Sequence, residues 1–313
     1  MNNNDELILH HYEGSPFSEK LRLILGFKGL AWRSVRVPVI LPKPDVVALT
    51  GGYRKTPFLQ IGADIYCDTA LMARVLEARQ PAPTLFPATA ALAPLLAQWA
   101  DSSLFWTIIP YTMQPAGMAS VFAGVPPEVI KAFAADRAPF TAGMKRQTVA
   151  DATAKLVADS AALDAQLADG RSFLFGDAPS IADFSVAHCV WYVHRGGSVA
   201  ALFERTPRLL AWYGRMQAFG HGRPTPLSSA DALAIAANAG GHAPTEVLPG
   251  LGFAAGQAVT VTPTDYGCDP VAGTLVGLSG DTVVLRRDDE RAGVLHVHFP
   301  RTGFQIKPQE TPA

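Results

Sequence analysis

The sequence predicts three consecutive units: a small α/β domain over residues 5–80, an all-helical domain over 84–222 and, beyond a linker, a small all-β module over 251–313. Three observations predict them. Two short apolar runs, 56–61 and 65–67, flank a Gly-Ala-Asp turn and lead into an amphipathic helix, which suits an α/β domain. From the proline-rich stretch near Pro83 to about Phe219 the chain is rich in alanine and keeps a helical period without strand-like runs. The last stretch alternates or runs β-branched, with Ser279-Gly280-Asp281 as a hairpin turn.

Residues 7–12 read as the first strand. Phe17, Leu21, Ile24, Leu25 and Lys28 then share one helical face, and Gly29 stops that helix. Residues 32–37 form the next strand, which a crossover helix obliges to lie parallel to the first. Pro57 opens the third strand, because a residue without an N–H belongs at a strand's first position or edge. The Thr56-Pro57 bond is a candidate cis peptide. Leu71, Met72, Val75 and Leu76 face inward on the following helix, and residues 80–83 form a linker. Helices are expected over 91–109, 128–135 and 149–168, and Ser180 with Asp183 makes a capping box that opens another. Residues 223–250 are rich in Gly, Ala, Pro and Ser and read as a linker with room for one short helix. Strands over 257–262, 272–278, 282–287 and 294–299 would make the last module a half-open, barrel-like unit.

With 313 residues, 49% of them hydrophobic, the chain can bury a full core. A net charge of −1 gives no electrostatic footprint for nucleic acid or an acidic membrane. Cys67, Cys189 and Cys268 lie far apart with no C-x-x-C, which argues for a reducing compartment and against a metal ribbon or dithiol centre. The N-terminus has neither the basic start nor the apolar core of a signal peptide. No run approaches the ~18 apolar residues of a membrane span. A soluble cytoplasmic protein is expected. His296 and His298 lie at i, i+2, a spacing that can share a metal. No further ligand lies nearby in sequence, so a solvent-facing strand and no metal are expected.

The first helix opens as Gly14-Ser15-Pro16-Phe17-Ser18-Glu19-Lys20, with serine at the N-cap and proline at the first helical position, as any helix start prefers. The same geometry serves chemistry. A thiol near pKa ~8.5 is mostly protonated at neutral pH, and a hydroxyl donor at a positive helix N-terminus lowers that value. Asp68-Thr69 sits where strand gives way to helix, a place that favours a carboxylate ligand.

The segment from Ser15 to Lys20 resembles the S-P-F-x-x-[RK] signature of serine-type glutathione transferases. Together with the Pro57 strand pair and the Ser180–Asp183 box, it makes residues 5–220 similar to the glutathione transferase superfamily. Residues 38–69 resemble a little-characterised subgroup with an added C-terminal domain. The resemblance implies a thioredoxin-like α/β domain followed by an all-α domain, with the β module outside the match. It implies an enzyme using glutathione as cosubstrate and no metal, in which Ser15 stabilises the thiolate. Thr56 and Pro57 would pair with the cysteinyl part, Asp68 and Thr69 would hold the γ-glutamyl end, and Lys43, Arg54 or Lys55 would bind the glycyl carboxylate. Asp68 stands where the family usually has Glu or Gln, one methylene longer. Ser18 is a weaker substitute for Ser15. The second, hydrophobic substrate would sit among Phe17, Phe105, Trp106, Ile109 and Met113, near Tyr111, although core packing explains each of them singly. Asp101 reads as a solvated residue or as one reaching a neighbouring subunit. A homodimer active in detoxification is implied. A non-catalytic binding or scaffold protein whose β module contacts a partner is the alternative, as is a glutathione-dependent isomerase or dehalogenase.

Overall fold

The computed structural model describes residues 5–309. The first domain begins with β1 (Ile8–His11), α1 (Pro16–Phe27) and β2 (Ala31–Arg36), and β1 and β2 pair in parallel, Ile8 beside Arg33. Next come α2 (Pro44–Thr50), β3 (Phe58–Ile61), β4 (Asp64–Cys67) and α3 (Thr69–Arg79). The Thr56-Pro57 peptide is cis, and Pro57 directly precedes β3. The β3–β4 hairpin turns at Gly62, whose φ of 58° suits glycine.

The helical domain holds α4 (Ala93–Trp99), α5 (Phe105–Thr112), α6 (Pro115–Val121), α7 (Pro127–Arg137), α8 (Val149–Gln166), α9 (Ile181–Arg195) and α10 (Pro207–Gln217). The single helix expected over 91–109 is α4 and α5 joined by a π-helical turn, Ala100–Leu104. Such turns shift the side-chain register, and here the shift falls at Asp101. Helix α9 is buried along nearly its whole length. Its capping residue Asp183 is fully buried and accepts from Ser180 N (2.8 Å), Ser180 Oγ (2.9 Å), Leu174 N (2.9 Å) and Trp212 Nε1 (2.9 Å). A buried carboxylate is tolerated because its lone pairs are satisfied. Gly26 lets the chain leaving α10 cross α1, since a Cβ there would lie 2.1 Å from the Gly220 carbonyl oxygen.

The segment expected as a linker does more than link. Strand β5 (Arg223–Pro226) pairs in parallel with β2, and α11 (Ser229–Ala237) packs beside α2 and β2. Its two prolines suit an edge strand. The final strands are β6 (Ala258–Pro263), β7 (Val271–Leu278), β8 (Thr282–Asp289), β9 (Gly293–Pro300) and β10 (Phe304–Pro308). They are antiparallel in the order β10-β6-β7-β8-β9, and β9 then pairs in parallel with β4. One ten-stranded sheet results, β10-β6-β7-β8-β9-β4-β3-β1-β2-β5. The free edge of the first domain is thereby covered, which removes unpaired backbone groups.

Two main cores follow from this layout. One lies between α1, α3 and the helical domain, with Leu21, Ile24, Met72, Phe184 and Trp212 fully buried. The other joins Leu49, Phe58 and Ile65 of the first domain to Val259, Leu285 and Phe299 of the C-terminal strands.

Candidate active site

Ser15 caps α1 and is 2% exposed. Its Oγ accepts from Ser18 N (3.2 Å) and donates to the Thr56 carbonyl (3.3 Å), the residue before the cis proline. Sequence-distant Ser15, Thr56 and Pro57 therefore meet at the N-terminus of α1. Arg195 of α9 clamps the preceding turn by donating to the Gly14 carbonyl (2.9 Å). Ser18 is fully buried and serves the cap through its backbone N–H.

Asp68 caps α3, its Oδ1 accepting from Ala70 N at 2.8 Å. Among the described residues it is the only non-glycine with positive φ, 76°. Such a backbone carries strain that clusters at functional sites. Burial raises the pKa of its carboxyl, while the Ala70 N–H, Lys20 and Lys55 pull the other way. The Thr69 hydroxyl accepts from Lys20 Nζ (3.1 Å), and that fully buried ammonium also pairs with Asp101 Oδ2 at 2.5 Å. Asp101 Oδ1 meets His188 Nε2 at 3.0 Å. Burial works against the Asp101 charge, yet Lys20 and His188 hold its pKa below the usual carboxylate range. Burial lowers the His188 pKa. Asp101 is thus engaged within its own chain, its side chain 19% exposed, and the π turn aims it at Lys20 and His188. Lys20 and His188 were not singled out from sequence. Lys20 is the basic residue closing the S-P-F-x-x-[RK] signature, and that was the available signal.

Lys43, Arg54 and Lys55 are cations of this region. Lys43 is 4% exposed, and burial, then Arg137 and Arg54, push its ammonium down to about 8 against the pull of Asp136. Arg54 pairs with Asp136 at 3.0 Å and lies 4.5 Å over the Phe140 ring. Lys55 has a different partner. Its Nζ meets Asp265 Oδ1 at 2.5 Å and sits 4.0 Å over the Tyr266 ring. Both belong to the β6–β7 loop, so the C-terminal module reaches the site.

The apolar wall forms in part as expected. Phe17 packs on Phe105 (4.8 Å between ring centroids) and Phe105 on Trp106 (5.0 Å). Tyr266 closes over them, 5.1 Å from Trp106 and 6.3 Å from both Phe105 and Phe140. The loop is fixed by Gly267 N donating to the Phe140 carbonyl (3.2 Å). Gly267 has φ +57°, and a Cβ there would approach the Phe140 ring to 2.9 Å. Ile109 is half-buried further along α5, and Met113 Sδ accepts from the Tyr192 hydroxyl at 4.0 Å. Tyr111 is a core residue whose hydroxyl donates to Val199 O. Tyr266, Asp265 and Phe140 carried no local signal, because their roles arise from contacts between residues far apart in sequence. A separate cleft on the β5–α11 face, lined by Glu6, Arg33, Leu227 and Asp231, holds none of these groups.

The expected solvent-facing strand fails for His298, while His296 is half-buried. His298 is 6% exposed and pairs with Asp64, and His296 stacks on His242.

Residues 9–84 match the family model of the glutathione S-transferase N-terminal domain, and 146–215 that of the C-terminal domain. A GST-like protein from Pseudomonas syringae is 43% identical, with TM-score 0.81, over 97% of this chain and all of that one. This chain belongs to the glutathione S-transferase superfamily. The similarity to the Pseudomonas protein extends through the C-terminal strands. A glutathione S-transferase from Rhodospirillum rubrum (19% identity, TM-score 0.51) and a beta-etherase from Sphingobium (20%, TM-score 0.50) each cover 68% of this chain and share the fold, matching 88% and 95% of their own lengths. No curated protein sequence matches the chain. Among the described residues no helix is long and apolar enough to cross a membrane.

Proposed function

We propose that the protein is a glutathione transferase that activates the cosubstrate thiol at Ser15 for attack on a hydrophobic electrophile. The bond from the Ser15 hydroxyl to the Thr56 carbonyl, ahead of cis-Pro57, carries this reading; the β3–β4 register pairs Phe58 with Cys67 and so sets the Asp68-Thr69 cap beside it. Glutathione would lie with its cysteinyl backbone along Thr56 and its γ-glutamyl end at Asp68 and Thr69. The glycyl carboxylate would meet Lys43, whose desolvated ammonium gains most from an anion. Ser15 would turn its hydrogen from the Thr56 carbonyl to the sulfur. The thiol proton leaves to solvent, the thiolate lone pair forms the new C–S bond, and the electrophile's leaving group departs with the bonding pair. Phe17, Phe105 and Trp106 would hold the electrophile. No metal is required, and a homodimer in the cytoplasm goes with the reading.

Ser15→Ala should lower kcat/KM for a chromogenic aryl electrophile by roughly 10- to 100-fold, as loss of one charge-assisted hydrogen bond does. The apparent thiol pKa in the pH–rate profile should rise. An unchanged profile would remove Ser15 as the activator. The second reading, a binding protein on a transferase fold, is favoured by the existing engagements of Ser15 with Thr56 and of Lys55 with Asp265. It predicts no turnover with any electrophile despite correct folding.

A further inference from the structure

The geometry points to a binding site for one divalent transition-metal ion, zinc by its donor set, formed by Asp64 of β4 and His296 and His298 of β9. The parallel register sets Asp64 beside His296 and Tyr66 beside His298. Residues paired or two apart share a sheet face, so the carboxylate and both imidazoles project to one side. One ligand atom from each of the three lies within 4.8 Å of the other two. A tetrahedral site with ~2.0–2.1 Å bonds sets its ligand atoms about 3.4 Å apart, so small side-chain rotations close the cage. Two nitrogens and one carboxylate form a set that suits zinc.

The surroundings are those of a supported site. His298 stacks on Tyr66 (4.4 Å, 27° between planes), and the backbone N–H of Ala243 donates to Asp64 Oδ2 at 2.8 Å. Such outer contacts fix ligand orientation. His242 stacks on His296 at 3.7 Å, with its Nδ1 4.0 Å from Asp64 Oδ2. Both His242 Nδ1 and His296 Nδ1 are buried without a hydrogen-bond partner. Orphaned buried polar atoms are uncommon, and an ion is one of the things that satisfies them. Asp64 Oδ1 and His298 Nε2 now meet at 2.6 Å. Metal binding would displace the hydrogen they share, to Nδ1 of a neutral ring or to solvent from a charged one. The site would lie on the β4–β9 pairing, which joins the two halves of the sheet. The ion would therefore pin the C-terminal module to the first domain.

The test is calorimetric titration of the full, chelator-treated protein with zinc chloride, alongside thermal unfolding with and without zinc. One equivalent should bind, and zinc should raise the unfolding temperature. His296→Gln removes a ligand whose Nδ1 makes no hydrogen bond, so the metal-free variant should fold, with its own unfolding temperature as the reference for any zinc-induced rise. It should bind zinc roughly 100-fold more weakly and lose the zinc-induced rise. Cys268→Ser, which removes an exposed thiol, should bind as wild type does. Absence of saturable zinc binding would overturn the site. So would a His296→Gln variant that binds as tightly as wild type, or a Cys268→Ser variant that does not bind.

Discussion

Buried ionisable residues in the first strand and helix give the fold a dependence on pH. His10 is 1% exposed, stacks 4.2 Å from Phe58 and shares a 2.7 Å hydrogen bond with Gln60 Oε1. Burial pushes its pKa down to about 4, and burial with Arg22 and Arg36 pushes His11 to about 3. Both folded values lie below the unfolded one. The stability they contribute is therefore complete above about pH 6.5 and is lost as pH falls from there, down to about 4 for His10 and about 3 for His11. For His10 the loss is roughly 3 kcal/mol, at ~1.36 kcal/mol per pH unit. His10→Gln should flatten the fall in unfolding temperature between pH 6.5 and 4.5 relative to wild type; an identical slope would mean that other groups dominate. At this scale the sequence showed the residues that touch a helix start. Ser15, Asp68 and Thr69 were legible because capping needs particular side chains at particular offsets. Lys20, Asp101 and His188 were not, since their network joins three helices and a buried lysine looks like any other in sequence.

Elements decide which side chains reach the pocket. The π turn at Ala100–Leu104 aims Asp101 inward, and no propensity in Ala-Asp-Ser-Ser-Leu announces it. The β6–β7 loop is the larger departure. Its Asp265 takes Lys55 and its Tyr266 roofs the aromatic wall, so a loop between two strands of the C-terminal module helps to build the site. Tyr266→Ala should leave folding intact and widen the electrophile range, raising kcat/KM for bulky aryl substrates several-fold while changing glutathione KM little. The measurement is a substrate panel of increasing ring size. Equal loss of activity across the panel would instead mark Tyr266 as a group required for turnover. The β-α-β start, the cis proline and the Ser180–Asp183 box were all legible, because each follows from local chemistry. Strand β10 and strand β5 were not, because edge strands of four or five residues form on partners supplied by the fold.

Across the whole molecule, the C-terminal strands extend the first domain's sheet and share its core. Phe58 and Ile65 are fully buried against residues such as Leu285 and Phe299. Ending the chain near Gly250 would uncover that core and the β4 edge together. The truncated protein should be insoluble or lose its cooperative thermal transition; a soluble fragment with a sharp transition would mean that the two cores are independent. Sequence composition showed where the β-rich stretch begins. It could not show a parallel pairing between segments some 230 residues apart, since that register depends on which edge the first domain leaves open. The central claim concerns the ligand. Calorimetric titration of the full chain with glutathione into the millimolar range tests it most directly, with Thr69→Ala as the comparison. Saturable binding with Kd at or below about 1 mM, weakened roughly 10-fold in Thr69→Ala, is the predicted result. No saturable binding in that range, or binding indifferent to Thr69, would contradict it.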